Sequence, residues 1–131
     1  MCGLRERMPG RKVHYFTDKE EEFSTILISI GIPRIVAKVL VFLANTSEAS
    51  SRDIERGADL RQPEVSLAMH HLQERGWISS RLDRTDAIGR PQNYFRLSLP
   101  FAEIITQIQA EKETEIRRKM ALTQKIRSYV E

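Results

Sequence analysis

The chain has 131 residues, 40% hydrophobic and 30% charged. That is the composition of a folded globular domain and excludes a disordered or low-complexity chain. The 21 basic and 18 acidic residues leave a net charge of +3, which permits nucleic-acid binding through local basic patches without requiring it. A single cysteine, Cys2, excludes an intrachain disulfide framework and a cysteine zinc site. With no apolar run of membrane-span length and no signal-peptide core, a cytoplasmic protein is expected.

Residues 1–16 are expected to be a flexible basic N-terminal arm. Arg5, Arg7, Arg11 and Lys12 face a single acid, Glu6, while Gly3, Pro9 and Gly10 discourage regular structure. Such an arm is either a solvated tail or a contact to DNA phosphates or the minor groove. Thr17-Asp18-Lys19-Glu20 is a capping box that opens a first helix. Phe23, Ile26, Leu27 and Ile30 follow at helical spacing, and Gly31 ends it. The acids Asp18, Glu20, Glu21 and Glu22 sit where the helix dipole favours them, so they read as caps rather than metal ligands.

Pro33 begins a second helix. Ile35, Val36, Val39, Leu40, Phe42 and Leu43 make it apolar over most of its circumference, which places it in the core, with Arg34 and Lys38 on its polar edge. Residues 46–50 read as a loop rich in cap formers. Ser50-Ser51-Arg52-Asp53 then signals a short third helix through Ile54, ending near Gly57, with Ala58 and Asp59 turning into Leu60.

The stretch from Leu60 to Ile78 reads as the fourth helix and its exit. Pro63 suits the first turn, and Val65, Ala68, Met69 and Leu72 form one buried face. Gly76 suits a left-handed C-cap. Gln62, Glu64, Ser66 and His70 lie on the opposite face as short or polar groups able to reach base edges. A short helix, a tight turn and a longer helix make a helix-turn-helix. With the longer one in a major groove, Ser50 and Arg52 would face the phosphate backbone.

Residues 77–83 alternate, as do residues 94–99 with Phe95, Leu97 and Leu99 on one side. They predict a hairpin whose long tip, residues 84–92, holds Gly89-Arg90-Pro91. An arginine there is placed to enter a minor groove. Arg81, Arg84 and Arg96 add positive charge along the hairpin, partly offset by Asp83 and Asp86. Trp77 reads as packing at its base. From Pro100 the sequence stays compatible with helix to nearly Glu131, about 45 Å for about 30 residues. Phe101, Ile104, Ile105 and Ile108 form a stripe continued sparsely by Ile116, Met120, Ile126 and Val130. The charged middle rules out a strict heptad seam. A helix of this length needs a partner, and a symmetric dimer, with the first helix contributing, is the expected solution.

Residues from about 33 to 99 resemble the winged-helix transcriptional regulators of the MarR and TrmB type, with ArsR proteins as relatives. The likeness rests on the Ser50–Ile54 helix start, Leu60-Arg61-Gln62-Pro63-Glu64-Val65-Ser66, the exit Leu72-Gln73-Glu74-Arg75-Gly76-Trp77-Ile78, and Gly89-Arg90-Pro91 followed by Tyr94. The resemblance implies a mainly α fold with a small β-hairpin wing: a winged helix-turn-helix with a long C-terminal dimerisation helix. Its divisions would be the arm at 1–16, the DNA-binding domain at 17–99 and the dimerisation helix at 100–131. It implies a homodimer that binds a pseudo-palindromic operator in double-stranded DNA. It puts Gln62, Glu64, Ser66, Leu67 and His70 in the groove and Arg90 at the wing tip, with Arg52, Arg61, Arg81 and Arg84 on phosphates. Two places depart from the pattern: Leu67 stands where Arg or Lys is common, and Glu64 is acidic where DNA would be close. The paired cysteines of the metal-sensing ArsR branch are missing, and there is no room for the sugar-binding domain found in TrmB proteins.

Other chemistries find no support in the sequence. His70 and His71 are adjacent and diverge on a helix, so they do not form a chelating pair, and no metal or cofactor is expected. Ser50, Ser51 and Ser66 lack a His/Asp constellation, and no glycine-rich phosphate cradle occurs, so no enzymatic activity is expected. The rival reading is a winged-helix protein-interaction module of a transcription or chromosome-maintenance complex, kept open by the near-neutral recognition helix. A small-molecule sensor is a third reading, although no effector can be named from the sequence.

Overall fold

The computed structural model describes residues 17–84 and 91–131. In chain order these form α1 (Asp18–Ser29), α2 (Arg34–Ala44), β1 (Ala49–Ser50), α3 (Ser51–Ala58), α4 (Gln62–Glu74), β2 (Ile78–Asp83), β3 (Gln92–Leu97) and α5 (Phe101–Val130). The chain divides into two compact units between Ser98 and Leu99, with α1 to β3 in the first and α5 in the second.

In the first unit, α1 opens with the expected capping box: the Thr17 N–H donates to Glu20 Oε1 at 2.7 Å, and the Glu20 N–H donates to Thr17 Oγ1 at 3.2 Å. Its buried face is Glu20, Ser24 and Leu27, not the whole stripe of isoleucines, because Ile26 and Ile30 remain 54% and 42% exposed. The rotation is tolerable because the cap holds the Glu20 carboxylate on a backbone donor, so its charge is hydrogen-bonded where it is buried. α2 forms the spine, burying Val36, Ala37 and every residue from Val39 to Leu43. It packs on α1, α3, α4 and β3.

α3 starts with a second reciprocal cap. The Asp53 N–H donates to Ser50 Oγ at 3.2 Å, and the Ser50 N–H donates to Asp53 Oδ2 at 3.1 Å. It runs past Gly57 to Ala58. Gly57 is buried inside the helix, and the left-handed position falls on Asp59 (φ 56, ψ 54), a residue type whose short polar side chain tolerates that region. The turn closes where the Leu60 N–H donates to the Glu55 carbonyl at 3.0 Å. α4 then buries Val65, Ala68, Met69 and Leu72. Gly76 ends the turn with φ 72, and the Trp77 N–H reaches back to the Leu72 carbonyl at 3.1 Å.

The sheet is three-stranded and antiparallel in the order β1-β3-β2. The two residues of β1 pair as Ala49 with Phe95 and Ser50 with Tyr94, so part of the segment expected to be a loop is an edge strand. A strand of two residues has no periodicity to betray it. β3 spans Gln92–Leu97, so it starts before the alternating run and leaves Leu99 outside the strand. Ser98 instead ties down the base of the hairpin, its N–H donating to the Trp77 carbonyl at 2.8 Å and its hydroxyl to the Gly76 carbonyl at 2.5 Å. Trp77 is buried there as packing, with the Arg75 guanidinium 4.1 Å above its ring. Gly89 and Arg90 of the hairpin tip, like the N-terminal arm, lie outside the described residues.

The second unit is the 30-residue helix α5, which starts after Pro100. The residues expected to form a dimer seam divide. Ile104 and Ile108 are 0% and 1% exposed in the single chain, and Phe101 and Ile105 are half-buried. Ile116 and Met120 stay 55% and 59% exposed. Among the described residues, no helix is long and apolar enough to cross a membrane.

Candidate nucleic-acid interface

The first unit presents α4, the N-terminal end of α3 and the polar side of the hairpin. α4 is fixed by its buried face, and that decides which side chains point outward. Gln62, Ser66, Leu67 and His70 are exposed and spread over about 140° of the helix surface. The Gln62 Nε2 donates to Ser66 Oγ at 3.2 Å, one turn on. His70 Nε2 lies 3.3 Å from Glu74 Oε2.

Glu64 is held differently. The Arg61 N–H donates to its Oε1 at 2.9 Å, and the Arg34 guanidinium lies 3.5 Å from Oε2. The Arg61 hydrogen bond comes first, and the Arg34 charge second, among the causes that hold the Glu64 carboxyl below the usual carboxylate range. Glu64 therefore caps the first turn of α4, where the dipole favours an anion, and its charge is matched by Arg34. The acid that looked ill placed beside DNA works as a helix cap. Arg61 is exposed at the same turn.

At the start of α3 the two candidate residues separate. Arg52 is exposed, whereas Ser50 is 5% exposed and its hydroxyl accepts from the Asp53 N–H. Ser50 thus serves as the buried N-cap of α3, as its place in the Ser50–Asp53 capping signal implies.

On the hairpin, antiparallel register puts Ser79, Arg81 and Asp83 on one side of β2, facing Arg96, Tyr94 and Gln92 of β3. Arg81 donates from Nε and Nη2 to the two Glu48 carboxylate oxygens at 2.6 and 2.8 Å, a bidentate pair. Its guanidinium also sits 5.0 Å from the Tyr94 ring and 3.7 Å from Asp83 Oδ2. The Glu48 carboxyl is held below the usual carboxylate range chiefly by that Arg81 hydrogen bond. Glu48, Ser79, Ser80, Arg81, Tyr94 and Arg96 line a shallow cleft on this side. Arg81 is thus committed to an internal partner, while Arg84 at the end of the strand is exposed.

Two participants escaped sequence reasoning: Glu48 and the partnership of Arg34 with Glu64. Glu48 precedes a strand too short to recognise and meets Arg81 33 residues later. Among the described residues no group of His, Cys, Asp and Glu could hold a metal ion.

No family model and no curated protein matches the chain. Solved structures do. A protein from the thermoacidophilic archaeon Sulfolobus tokodaii superposes with a TM-score of 0.59 at 15% identity, over 78% of this chain and 98% of that one. NadR, solved in complex with 4-hydroxyphenylacetate, gives 0.53 at 16% identity over 94% of this chain and 97% of that one. A MarR family transcription regulator gives 0.51 at 17% identity over 76% of this chain, which spans only 64% of that relative's length. At such identities the likeness is one of fold. The chain has the fold of MarR-type regulators: a winged helix-turn-helix, mostly helical, with a small three-stranded sheet and a long C-terminal helix.

Proposed function

We propose that the protein is a sequence-specific DNA-binding transcriptional regulator that acts as a homodimer and has no enzymatic activity. The observation that carries this reading is the state of α4. One face is fully buried, the other offers Gln62, Ser66, Leu67 and His70 together, and the acid between them is neutralised by a cap and Arg34. A helix so anchored and so exposed suits a major groove. Arg52, Arg61 and Arg84 take phosphates on either side, and Arg90 is assigned to the minor groove by sequence alone. For the dimer, the support is the exposed row Ile116, Met120, Ile126 and Val130 on α5, with Ile26 and Ile30 exposed on α1.

The test is selection of bound fragments from genomic DNA with the purified protein, followed by anisotropy titrations over a range of salt. Expected are an enriched pseudo-palindrome and a steep loss of affinity with rising salt. Arg90→Ala should weaken binding to most sequences, while Gln62→Ala should change the preferred sequence. Leu67, 51% exposed in the middle of this face, favours a second reading, a protein-docking winged helix. Absence of enrichment together with salt-insensitive binding would favour it.

A further inference from the structure

On the DNA-binding reading, which this inference rests on, the groove face of α4 also states which base pairs it reads. We infer that the protein recognises A·T pairs beneath α4, with Gln62 reading an adenine and Leu67 a thymine methyl. Direct readout of guanine is most often made by Arg or Lys, whose donors meet the O6 and N7 acceptors. From Gln62 to Glu74 the sequence has neither residue. The nearest substitute donor, His70, points Nε2 at Glu74 Oε2 at 3.3 Å. Cytosine would call for a carboxylate to accept from N4, but Glu64 is engaged by the Arg61 N–H and by Arg34.

What remains fits A·T. Gln62 gives one Nε2 hydrogen to Ser66 Oγ at 3.2 Å. That bond biases the orientation of the exposed amide and leaves its other Nε2 hydrogen and its Oε1 for a base. A donor and an acceptor side by side are what adenine requires, the donor for N7 and the acceptor for the N6 amino group. Ser66 is thus a positioning residue for Gln62. Leu67, one residue on and 51% exposed, presents a branched apolar surface where the others are polar. The major-groove feature that rewards apolar contact is the C5-methyl of thymine.

The experiment selects duplexes from a library with a randomised core using the full chain, and then measures affinity by anisotropy on the winning duplex with single-base analogues. The wild type should enrich A·T pairs under α4. Replacing one adenine by guanine should lower affinity by roughly 5- to 150-fold, the worth of a good bidentate pair, and replacing it by 7-deazaadenine, which removes only the N7 acceptor, by a smaller factor. Gln62→Ala should abolish that difference. Ser66→Ala should shrink it at the same position, and Ser66→Thr should restore it, a base-specific effect that a purely structural role would not produce. Replacing one thymine by uracil should weaken wild type but not Leu67→Ala. Enrichment of G·C under α4, or an A·T preference that Gln62→Ala leaves intact, overturns the inference while sparing DNA binding. No enrichment of any duplex overturns the DNA-binding reading and this one with it. The base analogues act on unaltered protein, so the test stands even where a variant fails to fold.

Discussion

Ser50 and Arg52 lie two residues apart, and the structure buries the first in a helix cap and exposes the second, which on the DNA-binding reading meets a phosphate. A crossed experiment can separate the roles. Ser50→Ala deletes the Oγ that accepts from the Asp53 N–H at 3.2 Å. The site is only 5% exposed, so water cannot freely replace the lost acceptor. Loss of a serine N-cap costs about 1 kcal/mol, within a range of 0.5–2. With an m-value of about 1–3 kcal/mol/M, the urea midpoint should fall by roughly 0.3–1 M. On the DNA-binding reading, affinity at a fixed salt concentration should not change, because the hydroxyl is engaged by the cap. Arg52→Ala should do the reverse. It removes an exposed guanidinium and leaves the midpoint nearly unmoved, but it releases one fewer counterion, so the slope of log K against log salt should become shallower by about 0.9. The assays are urea denaturation followed by circular dichroism and anisotropy titration at several salt concentrations. A Ser50→Ala protein with an unchanged midpoint and a weaker affinity for DNA at fixed salt would refute the assignment of Ser50 to the cap.

Other expectations follow from the same geometry. Leu72→Ala removes a side chain with no exposure from the buried face of α4 and should cost about 2–5 kcal/mol in urea denaturation, with loss of any DNA binding at temperatures where the variant unfolds. Glu64 titrates below its ordinary range when folded, so its contribution is complete above the unfolded pKa and is lost as pH falls through the folded one. Glu64→Gln should therefore flatten the acid limb of a stability–pH profile and leave neutral-to-alkaline pH dependence alone. Glu48→Gln frees Arg81 from its bidentate partner and should steepen the salt slope by up to about 0.9, whereas an unchanged slope would mean that the hairpin face stays away from phosphates. On the homodimer reading, the wild type should sediment as a dimer and Met120→Glu, which places a charge in the exposed row of α5, should sediment as a monomer in analytical ultracentrifugation; a variant that stays dimeric would refute the placing of the interface on this row.

How much of this was legible depended on whether the signal was local. Thr17 with Glu20, and Ser50 with Asp53, are each complete within four residues, and both caps form as read. The buried face of α4 and the stop at Gly76 are equally local, one a helical repeat and the other a single permissive residue. The failures involve information carried by distant segments. β1 exists only because Phe95 and Tyr94 pair with it. The rotation of α1, which buries Glu20 and Ser24 and exposes Ile26, is set by what lies against the helix and not by its own apolar spacing.

The charge pattern of the candidate interface now has one physical explanation. Glu64 and Leu67 depart from the pattern of a recognition helix, and the ion pairs account for the acid. Arg34 is paired with Glu64 and Arg81 with Glu48, and the exposed arginines Arg52, Arg61 and Arg84 lie outside a helix stretch that carries no Arg or Lys from Gln62 to Glu74. On the DNA-binding reading, phosphate attraction then comes from the periphery and is the same for every sequence, while base selection rests on short polar and apolar groups in the centre. The two terms can be varied separately. Changes at the periphery should alter affinity and salt slope with the preferred sequence held constant. Changes at Gln62, Ser66 and Leu67 should alter the preferred sequence at a constant slope. A central substitution that moved the slope as much as Arg52→Ala does would show that the division is false and that α4 binds by charge after all.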